Sequence, residues 1–151
     1  MNYDEIVSQF IEKDKKILYV GTLLADTFES QTTPAEFHTL DDKSFRDLDH
    51  LNVPKELDYV VFTDVLELVD NPKEVINKLK WNSKQVIVYE FKHNDHTEYT
   101  NPDWKKPWTL VGLENILTWE FDYVRSLYLG YATIYFCEGP NSIKPELLNA
   151  E

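Results

Sequence analysis

Leu57-Asp58-Tyr59-Val60-Val61-Phe62-Thr63-Asp64-Val65-Leu66-Glu67-Leu68-Val69-Asp70-Asn71-Pro72 runs from one kind of element into another. Tyr59-Val60-Val61-Phe62 is apolar without alternation, which predicts a strand buried on both faces. Asp70-Asn71-Pro72 then supplies a cap and an N1 proline for a helix that carries Val75, Ile76 and Leu79 on one side. A fully buried strand followed by an amphipathic helix is the repeating unit of an α/β sheet.

The flanking sequence continues that alternation. Toward the N-terminus, Tyr3, Ile6, Val7, Phe10 and Ile11 fall on one helical stripe within 3–14, and Ile17-Leu18-Tyr19-Val20 is a second buried strand, stopped by Gly21. A short helix is expected over 23–29, a break at Thr32-Thr33-Pro34, and a strand from Glu36 to Leu40 ending at Asp41-Asp42. Residues 43–57 are polar and contain Pro54, and read as a short helix followed by a loop. Toward the C-terminus, the helix after Pro72 ends near Trp81-Asn82, and Gln85 to Phe91 is a third β-branched strand. Residues 92–107 form a long polar and aromatic loop. Thr109 can cap a helix carrying Leu113, Ile116 and Leu117; Phe121–Tyr128 and Tyr131–Cys137 then read as an antiparallel hairpin turning at Gly130. The expected division is one domain over 1–138, with its N-terminal amphipathic helix in 1–16, and a surface tail over 139–151.

Composition narrows the chemistry. The 151 residues suit one domain, and 42% hydrophobic residues can fill its core. Glycine occurs four times, at 21, 112, 130 and 139, so G-x-x-x-x-G-K-[ST] and G-x-G-x-x-G are both excluded. Fifteen basic against 27 acidic residues give a net charge of −12, which argues against nucleic acid and anionic membrane as partners. Lone Cys137 lies in an apolar run and reads as a small buried hydrophobe. The N-terminus lacks the basic and apolar regions of a secretory signal, so the expected location is cytoplasmic.

The order of elements resembles the class I S-adenosylmethionine-dependent methyltransferases, with a Rossmann-like, mostly parallel sheet, helices on both faces and a last strand that enters antiparallel through a hairpin. Residues 57–72 look like the family's fourth-strand region, F-D-V-V-x-x-x-V-L-E-H-x-x-D-P. Trp108 to Leu117 is similar to the helix before its sixth strand, and Ile17 to Gly21 sits where its first strand and nucleotide loop fall. The resemblance implies S-adenosylmethionine as cofactor, with Gly21 and Thr22 at its methionine end, Asp41 or Asp42 on the ribose hydroxyls, and Thr63 and Asp64 facing the methyl group. The residues themselves offer a plainer reading: Asp41-Asp42 as a solvated pair at a strand end, and Thr63 and Asp64 as a helix N-cap.

The departures from the family bear on activity. Its loop runs V-L-[DE]-x-G-x-G-x-G, whereas here Tyr19 takes the acidic place, Leu23 the second glycine and Ala25 the third. The segment between Asp42 and Tyr59 is too short for a full helix and the family's third strand. These changes imply a methyltransferase-like domain degenerate in cofactor binding, serving as a binding or regulatory protein. The alternative is an active small methyltransferase on a small molecule or protein. Asp64 and His93 are the catalytic candidates, His93 as a base near neutrality. His93-x-x-His96, with Asp95 and Glu98, is a sparse ligand set without a cysteine, and no metal is expected. Trp104, Trp108 and Tyr99 could wall a substrate pocket or a partner surface, or cover the sheet edge as a lid. A protein partner or a small-molecule substrate fits either reading.

Overall fold

A computed structural model describes residues 3–21, 25–63, 65, 66, 69, 72–91, 110–129 and 132–140. The strands are β1 (Lys16–Val20), β2 (Glu36–Leu40), β3 (Leu57–Thr63), β4 (Ser83–Phe91), β5 (Phe121–Tyr128) and β6 (Ala132–Pro140). They form one sheet in the order β2-β1-β3-β4-β6-β5. β2, β1, β3 and β4 pair in parallel, whereas β6 runs antiparallel to both β4 and β5. Reciprocal backbone bonds between Leu129 and Ala132 close the β5–β6 hairpin over a two-residue connection. Gly130 lies outside the described residues.

The helices are α1 (Tyr3–Ser8), α2 (Ala25–Thr32), α3 (Pro72–Leu79) and α4 (Leu110–Glu120). Alternation along β1 divides the core, because successive side chains point to opposite faces. Leu18 and Val20 join Val75, Ile76 and Leu79 of α3 and Leu113 and Leu117 of α4. Ile17 and Tyr19 join Val7 of α1 and Phe28 of α2 on the other face. There Tyr19 and Phe28 lie 4.9 Å apart, centroid to centroid, and Phe37 of β2 completes an aromatic trio that fixes α2 over the β1–β2 half.

On the opposite face the ends of α3 and α4 are tied by a buried ion pair. Lys80 Nζ lies 2.7 Å from Glu120 Oε2, both side chains being 3% exposed. Asn77 donates to the same oxygen at 3.1 Å. Such a pair carries a large desolvation cost, so its integrity matters more than its net strength.

Between β2 and β3 there is no strand, in keeping with a segment too short for the family's third one. Residues Asp42–Arg46 and Leu48–His50 form two short 3-10 turns, and Phe45, Leu48, Leu51 and Val53 pack against the α3–α4 side of the core. This short segment covers a surface that a full helix and strand would otherwise cover, and it leaves β2 as the edge of the sheet.

Three sequence expectations are corrected at their boundaries. The first helix stops at Ser8 rather than reaching 14, because the chain must reverse into β1; Asp14 takes φ 61° and donates its amide to Thr33 O. Phe10, assigned to the buried stripe, is 46% exposed and instead packs tilted against Phe136, with ring centroids 4.9 Å apart. The last strand runs to Pro140 rather than ending before Gly139. Beyond Glu138 it pairs with β5 alone, where a proline's missing N–H is tolerated, and Gly139 bends the chain at φ 72°.

Candidate functional site

The carboxyl ends of β1, β2, β3 and β4 lie side by side, with Val20 level with both Leu40 and Phe62, and Thr63 level with Tyr89. From β1 the chain continues to β2 on one side, while β3 flanks β1 on the other. The strand order therefore reverses between β1 and β3, where open α/β sheets hold their ligands. The structure brings Gly21, Asp41 and Thr63 together at this edge.

Each of the three is engaged by the fold. The Gly21 amide donates to Leu40 O at 2.9 Å. A Cβ on Gly21 would collide with Thr63 Oγ1 and come within 3.1 Å of Thr63 O. Thr63 is a β3 residue rather than a helix cap, and its buried hydroxyl makes a long 3.4 Å contact to Val20 O. The glycine is thus required by the close approach of β1 and β3.

Asp41 follows β2 and caps the first 3-10 turn. Its Oδ1 accepts from Ser44 N at 3.1 Å and Ser44 Oγ at 3.2 Å, and Ser44 Oγ accepts from the Asp41 amide at 3.3 Å. This is a capping box, in which each residue satisfies the other's free amide. Asp42 opens the turn, and its side chain lies outside the described residues, as do Thr22, Asp64, His93, Asp95, His96, Glu98, Tyr99, Trp104 and Trp108. Among the described residues no three His, Cys, Asp or Glu side chains are grouped to hold a metal.

Sequence reasoning missed a second group at the same end of the sheet. Glu90, the penultimate residue of β4, is 3% exposed and sits level with Thr133 of β6. Glu114 of α4 reaches over the hairpin, where its Oε1 accepts from Tyr128 OH at 2.6 Å and Tyr135 OH at 3.4 Å. Burial first, then the Glu114 carboxylate, pushes the Tyr135 phenol far above the usual tyrosine range, with a smaller contribution from Glu90. Tyr135 therefore stays protonated and donates. The available signal was a charged residue continuing the Val86-Ile87-Val88-Tyr89 run; the partners came from α4 and the hairpin, which no local pattern connects.

No protein-family model and no curated protein matches the chain in sequence. Solved structures match it in shape. An S-adenosylmethionine-dependent methyltransferase from Aquifex aeolicus superposes with a TM-score of 0.65 at 13% identity, covering 89% of this chain and 87% of that one. A putative type 11 methyltransferase from Sulfolobus solfataricus gives 0.59 at 15% identity, over 93% and 94% of the two chains. The [4+2]-cyclase SpnF gives 0.60 at 10% identity, over 91% and 80%. In strand order, hairpin and extent, the chain has the class I S-adenosylmethionine-dependent methyltransferase-like fold.

Proposed function

We propose that this methyltransferase-like domain binds S-adenosylmethionine weakly or not at all and works as a binding or regulatory protein. One observation carries the reading: Thr63 Oγ1 fills the space beside Gly21 at the point where the strand order reverses. In a nucleotide loop of this kind glycine lets backbone approach ligand. Here the same vacancy serves strand-to-strand packing, and the Gly21 amide already donates to Leu40. Asp41, the ribose candidate, is committed to Ser44. The absent strand beyond β2 removes a wall of the adenine side, and Leu23 and Ala25 stand in place of the loop's other glycines. The described residues that would hold the cofactor therefore fit it poorly.

Fold alone does not fix activity, as the [4+2]-cyclase of the same shape illustrates. The second reading, an active methyltransferase, draws on the acidic group of Glu90 and Glu114 at the sheet's carboxyl edge, which suits an acceptor carrying positive charge. Calorimetric titration of the full chain with S-adenosylmethionine separates the two. Absence of binding that persists in a Leu23→Gly, Ala25→Gly variant assigns the loss to the shortened middle; binding restored by that variant assigns it to the loop.

A further inference from the structure

The opposite end of the sheet holds a cavity of about 880 Å³ that none of the cofactor considerations uses. Leu57 and Ser83 are level there, at the start of β3 and β4. Thr63 is six residues further along β3, which at about 3.3 Å per residue places it roughly 20 Å away. Three lysines from three elements line the cavity: Lys16 at the start of β1, Lys55 on the segment before β3, and Lys84 on β4. Glu56 and Asp58 line it too, so three basic groups face two acidic ones, a local positive balance in a chain with 27 acidic residues against 15 basic ones.

The lining is held in place. Asn82 donates from Nδ2 to Pro54 O at 3.0 Å and accepts at its own carbonyl from the Leu57 amide at 2.8 Å, pinning the segment that carries Lys55. Within it Glu56 takes φ 60°, a left-handed conformation that a residue with a β-carbon adopts at a cost. Asp58 accepts from the Lys16 amide at 2.9 Å and pairs with Lys84 at 3.3 Å, which occupies that carboxylate. Among the described residues neither Lys16 nor Lys55 is ion-paired. Beside them Trp81 is 55% exposed, with the Lys80 ammonium 5.1 Å from its ring centroid.

We propose that this cavity binds a small anion carrying a flat ring, of the nucleoside monophosphate class, with the ring stacked on Trp81 and the phosphate between Lys16 and Lys55. A large exposed aromatic surface supplies stacking, the lysines supply charge, and the volume suits a ligand of that size. Polyanions are disfavoured, because the net charge of −12 repels them while a compact anion meets only the local lysines.

The probe is adenosine 5′-monophosphate, titrated calorimetrically into the full chain with adenosine and inorganic phosphate in parallel. The monophosphate is expected to bind more tightly than either fragment. Trp81→Ala should weaken it about tenfold, and Lys55→Ala and Lys16→Ala about two- to fivefold each. An equimolar amount of S-adenosylhomocysteine, which carries no phosphate, should leave the affinity unchanged. No binding, equal affinity for adenosine, indifference to Trp81→Ala, or displacement by S-adenosylhomocysteine would each overturn the assignment. Trp81 and Lys55 are exposed and Lys16 is half-buried at the start of β1, and unchanged urea midpoints confirm that the variants are folded.

Discussion

Thr63 Oγ1 occupies the place where a side chain on Gly21 would begin, so the last residue of β3 makes glycine obligatory just after β1. Gly21→Ala must therefore displace a buried hydroxyl and its own β3 backbone neighbour. A loss of about 1–3 kcal/mol in urea unfolding is expected, as for overpacking elsewhere. Combining it with Thr63→Ala should cost less than the sum of the two single changes, because the clashing oxygen is removed. Strict additivity would mean that the two residues do not meet.

The Lys80–Glu120 pair is nearly sealed from water, and removing one partner leaves the other's buried charge uncompensated. Lys80→Met or Glu120→Leu alone should destabilise by about 3–5 kcal/mol, whereas the two together should recover most of the loss. A double-mutant cycle in urea measures the coupling. Single effects below about 0.5 kcal/mol, the level of a surface substitution, would show that the pair is solvated.

Asp41 is a cap, and its removal should register in stability rather than in ligand binding. Asp41→Ala is expected to cost about 0.5–2 kcal/mol, and Asp41→Asn much less, since asparagine also accepts from an amide at that position. An Asp41→Ala protein of unchanged stability but altered S-adenosylmethionine affinity would return Asp41 to the ribose.

Asp58 provides a pH test. The Lys16 amide, ahead of the Lys84 ammonium, holds its carboxyl below the ordinary value of 3.8, with desolvation opposing. The folded protein therefore binds this proton less readily than the unfolded chain. The resulting stability is present in full above the unfolded value and is lost as pH falls through it toward the folded one. Urea midpoints of the wild type and Asp58→Asn should differ at pH 6 and converge on acidification below about pH 4. A constant gap down to pH 2 would contradict the assignment.

Burial raises the Cys137 thiol well above the cysteine range, since the thiolate would lie in an apolar core. The native protein should resist an aromatic disulfide reagent at pH 8 and react fully once unfolded in urea. Rapid native reaction would show that β6 opens.

Where packing and periodicity decided structure, the sequence was readable. Ile17–Val20 and Tyr59–Phe62 became central strands because nothing polar interrupts them, and Val75, Ile76 and Leu79 all reached the core. The short middle was legible as a count of residues between Asp42 and Tyr59. Contacts between distant elements were not legible. Nothing in the local pattern places Thr63 against Gly21, or Glu114 of α4 on Tyr128 and Tyr135. Both depend on strand order and crossing geometry. Phe10 shows the converse limit: helical spacing named it a core residue, and the turn after Ser8 carried it outward to Phe136.

The reading of a cofactor fold without a firm hold on its cofactor is tested most directly by titrating S-adenosylmethionine into the purified chain by isothermal calorimetry. No measurable heat, or a Kd weaker than about 1 mM, is expected. A micromolar Kd, with the matching rise in Tm that linkage requires, would contradict it.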